Sequence, residues 1–312
     1  MVGGGPASFS ADELGFAAKR DGLQFPDHVL HQLVAALDSG MHVVLTGPAG
    51  TGKTTLAHLV ADLAQQAMLC TGYLPATATA EWSVAQTIGS IQDTAEGHVF
   101  LPGMVLESIE SGCWLVIDEL NRADVDSALG ELLTVVSGQP VVLPFKRHGG
   151  VLPLSLVPAG AATPADTDVI RVPATWRMVA TMGSHDDQLP MAMSRALLRR
   201  FAFVEVPSPD DDAFAALLEG PGEIVRRLLP LRAVRDIGPA VFLDAARFAA
   251  RRAEDAPTSS RLLFEAFTGF LLPQLRGIDA AAAATTYHLV AEVLSDPERA
   301  EARRAITEAT HP

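Results

Sequence analysis

The chain has 312 residues, with 37 Asp and Glu against 23 Lys and Arg and a net charge of −14. Apolar residues make up 48% and charged residues only 19%, which excludes a disordered chain and allows one large or two moderate folded domains. The acidic balance argues against a broad phosphate-tracking surface, so direct nucleic-acid binding is not expected, and with no run of ~18 uninterrupted apolar residues no membrane span is expected either.

The first 22 residues are rich in Gly, Ala and Ser and are expected to be flexible, without the basic start and apolar run of a signal peptide. A helix follows from about Pro26 to Asp38, with Val29, Leu30, Leu33, Val34 and Leu37 on one side. Ser39 and Gly40 stop it. Then Val43, Val44 and Leu45 form a short apolar strand that runs into Gly47, Pro48, Ala49, Gly50, Thr51, Gly52, Lys53 and Thr54. This stretch fits G-x-x-x-x-G-K-[ST] at every fixed position. Thr55 follows, and Leu56, Leu59, Val60 and Leu63 recur at i, i+3, i+4 and i+7, one apolar face of a helix. Glycines let the backbone curl so that its N–H groups point inward at phosphate oxygens, and the helix N-terminus adds partial positive charge. Residues 47–55 are therefore expected to cradle a nucleotide. Lys53 reaches its β- and γ-phosphates, and the Thr54 hydroxyl is placed to ligate Mg²⁺.

A weakly marked strand lies within residues 68–80, and residues 90–102 read as a hairpin around Asp93 to Gly97. A helix from Met104 to Glu110 leads to the strand Cys113, Trp114, Leu115, Val116, Ile117, apolar throughout as in a sheet covered on both faces. Asp118 and Glu119 follow directly, at the strand end where an open α/β sheet places its ligand. An aspartate there can hold Mg²⁺, and the adjacent glutamate can polarise a water for attack on the γ-phosphate. A helix over 124–136 precedes a second hairpin, 139–158, whose turn carries Lys146, Arg147 and His148. Residues 159–167 read as a loop, 176–182 as a buried strand, 192–200 as a short helix and 201–206 as a last strand. From 210 onward only helices are expected. The fold class is α/β, a parallel sheet between helical layers over 23–207, followed by a smaller all-α domain over 208–312. Cys70 and Cys113 are isolated, with neither metal-ligand spacing nor a disulfide framework. A reducing cytoplasm is the expected compartment.

The run Asp118, Glu119, Leu120, Asn121, Arg122, Ala123 resembles the DE[IL]NRA run of AAA+ ATPases of the MoxR and McrB-like (dynein-related) branch. Residues 80–89, with Trp82 and Gly89, are similar to a segment of McrB-like modules. Val179 to Met182 and Ser194 to Phe203 look like the sensor-1 strand and arginine-finger helix, so the resemblance covers roughly 25–207. It implies a P-loop αβα sandwich with a helical lid and a ring, commonly hexameric, with ATP and Mg²⁺ bound between protomers. Arg200, and second to it Arg199, would then neutralise charge on the γ-phosphoryl of a neighbouring subunit. Arg261 stands near the family's sensor-2 arginine. Gly183 occupies the place of a water-positioning Asn, which leaves Thr181, Ser184 or His185 to substitute, or turnover to be slow. The continuation typical of GTP-using members is absent, which favours ATP. The hairpins, with Phe100 and Lys146 to His148, would face the pore or a partner. The resemblance implies remodelling of a client protein, often one with a von Willebrand factor A domain. Other readings are a motor subunit driving a separate nuclease, or a nucleotide-dependent switch with little turnover.

Overall fold

In a computed structural model, residues 9–94, 97–147, 150–183, 195–220, 223–255 and 257–310 are described. They form two compact units, one of Met1–Gly47 with Gly52–Val206 and one of Pro48–Thr51 with Pro207–Pro312.

The strands of the first unit are β1 (His42–Gly47), β2 (Tyr73–Thr77), β3 (Gly89–Thr94), β4 (Gly97–Pro102), β5 (Trp114–Asp118), β6 (Val141–Val142), β7 (Leu154–Pro158), β8 (Asp168–Val172), β9 (Met178–Gly183) and β10 (Phe201–Glu205). Five of them make the central sheet in the order β10-β1-β9-β5-β2, and every neighbouring pair is parallel. Alternation along the strands sends side chains to opposite faces. Val44, Leu115, Ile117, Met178 and Ala180 enter one core, and Val43, Leu45, Trp114, Val116, Val179 and Val204 the other. Both faces are covered, which is why these strands read as continuous apolar runs.

Three helices, α1 (Ala11–Arg20), α2 (Asp27–Asp38) and α3 (Lys53–Gln66), supply the second core. The helix α1 corrects the expectation of flexibility for Ala11–Arg20; residues 1–8 lie outside the described residues. Ser10 and Glu13 close a capping box at its start, and Leu14, Ala17 and Ala18 are buried on one face.

Both hairpins form as antiparallel pairs, β3 with β4 and β6 with β7. A strand that the sequence reading passed over, β8, adds to β7 in parallel. The helix expected over 124–136 breaks in two at Leu129, Val125–Ala128 and Gly130–Val136, next to Gly130, a weak helix former. Both cysteines are free and half-buried.

Gly47 carries a local constraint of its own. Its φ is +142°, and a Cβ there would stand 2.2 Å from the Val206 carbonyl oxygen. Gly47→Ala is expected to destabilise the first unit by about 1–3 kcal/mol through overpacking. A thermal or urea midpoint equal to wild type would contradict this.

The second unit is helical, with α-helices Asp211–Leu217, Pro239–Arg252, Ser259–Ala266, Ala280–Ala291 and Asp296–Thr310 and a 3₁₀ stretch Glu223–Ala233. It has its own core, in which Phe214 meets Phe242 edge-on at 5.2 Å and Leu263 and Phe267 are fully buried. The helix that begins at Ser259 is regular only to Ala266. A π turn over Phe267–Leu271 and a 3₁₀ turn over Leu272–Leu275 follow, where Pro273 removes a backbone donor.

Candidate nucleotide site

The C-terminal ends of β1, β5 and β9 bring the motif residues together. β1 ends at Gly47 and α3 begins at Lys53. The turn between them uses left-handed backbone at Gly50 (φ +79°) and Gly52 (φ +89°), which side chains disfavour. Thr51 Oγ1 donates to the Pro48 carbonyl at 3.1 Å and ties the turn to itself. Gly52, at the N-cap, offers no side chain to the first N–H groups of α3. The N-terminus of a helix, with its partial positive charge, favours an anion.

Lys53 is 9% exposed, and its Nζ donates to the Gly47 carbonyl at 2.8 Å. Burial pushes its pKa down, while Asp118 and then Glu119 pull it up. The ammonium is held in a partly dry place by two acids.

Asp118 ends β5. Its Oδ1 accepts from Thr54 Oγ1 at 2.8 Å and from Thr181 Oγ1. The same Thr181 oxygen accepts from the Glu119 N–H at 3.0 Å. One hydroxyl on β9 therefore orients both acids at the end of β5. Thr181 is 2% exposed, and its hydroxyl is committed to these two contacts. Sequence reasoning named it only as a possible water-positioning group. Its actual place follows from the register, which sets Ala180 opposite Ile117 and puts Thr181 next to Asp118. Glu119 has a left-handed backbone, φ +53°. Its carboxylate is half-exposed and pairs with Arg122 at 2.7 Å.

Thr54 and Asp118 suit Mg²⁺. The ion takes few protein ligands and completes its shell with waters and phosphate oxygens, and here a hydroxyl and a carboxylate already touch. Among the described residues no group of three His, Cys, Asp or Glu could hold a metal. Gly183 pairs in register with Gly47, which sets it beside the cradle. Among the described residues nothing lies within 4 Å of where its Cβ would stand. Ser184 and His185 lie outside the described residues.

The arginines are elsewhere. Arg200 precedes β10, and its carbonyl accepts from the His42 N–H at 3.1 Å, beside the start of β1. The length of β1, about 16 Å at ~3.3 Å per residue, separates it from Gly47. Neither Arg199 nor Arg200 is brought to the chain's own cradle. Arg199 is exposed and Arg200 half-buried. Arg261, in the helical unit, donates to Glu265 at 3.1 Å and Glu301 at 2.9 Å, so its charge is answered within that unit. Phe100 is also engaged internally, stacking on Phe145 at 4.8 Å, and Arg147 pairs with Glu110 and, at 3.0 Å, with Asp168. Lys146 is exposed. His148 lies outside the described residues.

A glycine-rich cradle with its lysine, closed by an acid pair across a parallel sheet, defines a P-loop nucleotide-binding α/β protein. A model of the AAA domain, dynein-related subfamily, matches residues 42–201, more than half of the chain, and the chain belongs to this family. Similar proteins include the uncharacterized protein SAB1265c of Staphylococcus aureus (strain bovine RF122 / ET3-1), 27% identical over 190 residues, which are 59% of this chain and 62% of that protein. The uncharacterized protein SERP0979 of Staphylococcus epidermidis (strain ATCC 35984 / DSM 28319 / BCRC 17069 / CCUG 31568 / BM 3577 / RP62A) is 26% identical over 197 residues, 61% of this chain and 65% of that one. The match thus spans less than two thirds of the length of these relatives. The crystal structure of NtrX from Brucella abortus in complex with ATP aligns with a TM-score of 0.44 at 14% identity, over 91% of this chain and 67% of its own. No described helix is long and apolar enough to cross a membrane.

Proposed function

We propose that the chain is a Mg²⁺-dependent ATPase of the MoxR type that works in an oligomeric ring, a hexamer in the reading that the resemblance suggests, and remodels or activates a partner protein. The observation that carries this reading is the continuous contact Thr54–Asp118–Thr181–Glu119, which joins the phosphate cradle to a candidate proton acceptor. Residues 47–55 hold the phosphates through backbone N–H groups, and Lys53 neutralises their charge. Thr54 and Asp118 hold Mg²⁺, which when bound offsets charge on the β- and γ-phosphate oxygens. Glu119 takes the proton of the attacking water. Arg199 or Arg200 completes the site of a neighbouring copy, a role that suits side chains some 16 Å of strand away from their own cradle. Of the two, Arg199 is the more exposed and the freer to reach outward. The partner is a client protein, with a von Willebrand factor A domain as the proposed class. Arg261 would serve the nucleotide only after leaving Glu265 and Glu301. Addition of MgATP to the Glu119→Gln chain is expected to raise its mass in light scattering to that of a ring; a monomer at every concentration would count against the assembly.

A second reading, a nucleotide switch with little turnover, is favoured by Gly183. The space at its Cβ among the described residues gives a direct test. Gly183→Asn is expected to be accommodated without loss of stability and to raise turnover about tenfold, the ratio for ~1.4 kcal/mol of transition-state stabilisation. Unchanged phosphate release from a folded Gly183→Asn chain would show that the position does not limit hydrolysis.

A further inference from the structure

The end of the sheet opposite the P-loop carries an open cavity of about 640 Å³. Turns at 39–42, 137–138, 158–161 and 173–177 line it, together with Arg200. No Asp or Glu is among these lining residues, in a chain with 37 of them. Two guanidiniums are. Arg177 is 7% exposed. Its Nη1 donates to the carbonyls of Ala174 at 2.8 Å and Trp176 at 2.9 Å, and its Nη2 reaches that of Leu37 at 3.4 Å. Among the described residues neither Arg177 nor Arg200 has a carboxylate partner.

Burial lowers the Arg177 pKa, and no acid opposes it. His42 adds no charge. Its Nδ1 accepts from the Met178 N–H at 3.0 Å, and burial, then Arg177 and Arg200, push its pKa down to about 3. The cavity is therefore positive through two arginines alone.

A buried cation without a counter-charge is costly. The guanidinium fork matches phosphate and carboxylate oxygens in pairs. Capping of the last turn of α2 through Leu37 accounts for the longest of the three Arg177 contacts, and for nothing about Arg200.

We propose that this cavity is a binding site for a phosphate-type oxyanion, with Arg177 as its floor and Arg200 at its edge. The chain's own cradle lies at the far end of β1, so its own nucleotide does not supply the anion. Two sources share the chemistry: the phosphate end of a nucleotide held by a neighbouring copy, which rests on the ring reading above, and a phosphoanion free in solution. In the first case Arg177 is a positioning residue that presents a second positive charge behind Arg200.

The test uses the Lys53→Ala chain, whose P-loop site is weakened, titrated calorimetrically with tripolyphosphate at concentrations below those that fill the weakened P-loop. One saturable site is expected. Adding Arg200→Gln or Arg177→Gln should weaken it at least tenfold, and Arg171→Gln, an exposed arginine outside the cavity, should not. Arg177 is buried, so circular dichroism accompanies its variant and Arg200→Gln carries the test by itself. Absence of saturable binding in the Lys53→Ala chain, or affinity unmoved by Arg200→Gln, overturns the proposal. A second arm identifies the source. Arg177→Gln with an intact P-loop is mixed with Lys53→Ala, which retains both arginines. Turnover above that of either variant alone assigns the anion to a neighbour's nucleotide. Tripolyphosphate binding without such recovery supports the site with a free anion as ligand and tells against the ring reading alone.

Discussion

Glu119→Gln is expected to lower MgATP turnover by about 10²–10⁴-fold, the span of a positioned general base, while nucleotide binding persists. The carboxylate stands at the end of β5 on a left-handed backbone, and its N–H is fixed by Thr181 at 3.0 Å. Gln keeps the size and the backbone contact and loses only the proton acceptor. The ion pair with Arg122 does not hold the carboxylate away from this role, because both side chains are more than half exposed and such pairs contribute only ~0–1 kcal/mol. Steady-state phosphate release and a fluorescent-nucleotide titration separate the two effects. Turnover at the wild-type rate would remove Glu119 as the base.

Lys53→Ala is expected to weaken nucleotide binding about 10- to 100-fold, from the ~1.5–3 kcal/mol of a hydrogen bond to a charged group, with little change in the stability of the free chain. The electrostatics of the free site set this contrast. Burial disfavours the ammonium more than Asp118 and Glu119 favour it, so in the absence of ligand its charge adds no net stability. A triphosphate adds negative charge in the same half-dry volume and strengthens the lysine's contribution there. Titration and a melting curve on one preparation check both halves; an affinity equal to wild type would mean that the phosphates lie elsewhere.

The parts of the site that were legible in the sequence are those whose chemistry sits on consecutive residues. The cradle 47–54 and the pair Asp118 and Glu119 each follow an apolar strand, and the structure sets them side by side because β1 and β5 are both neighbours of β9. Thr181 was legible only as one polar residue in a buried strand. Its service to both acids depends on the β5–β9 register, which no local pattern encodes. Arg261 was assigned by its neighbours in the chain, yet its partner Glu301 lies 40 residues away. Phe100, expected to face a pore or a partner, is held by Phe145 from the other hairpin. The helix α1 was missed although Ser10 and Glu13 spell a capping box, since alanines carry little weight in an apolar periodicity. The strand β8 was missed because its first residue, Asp168, and its exposed Arg171 interrupt the apolar run.

Phosphate release from MgATP, followed over a wide range of protein concentration, tests the central claim most directly. A site completed by an arginine from a neighbouring copy predicts a rate per chain that rises with concentration to a plateau and is abolished by Lys53→Ala. No release at any concentration, or a rate per chain that is constant down to a demonstrably monomeric protein, would contradict it.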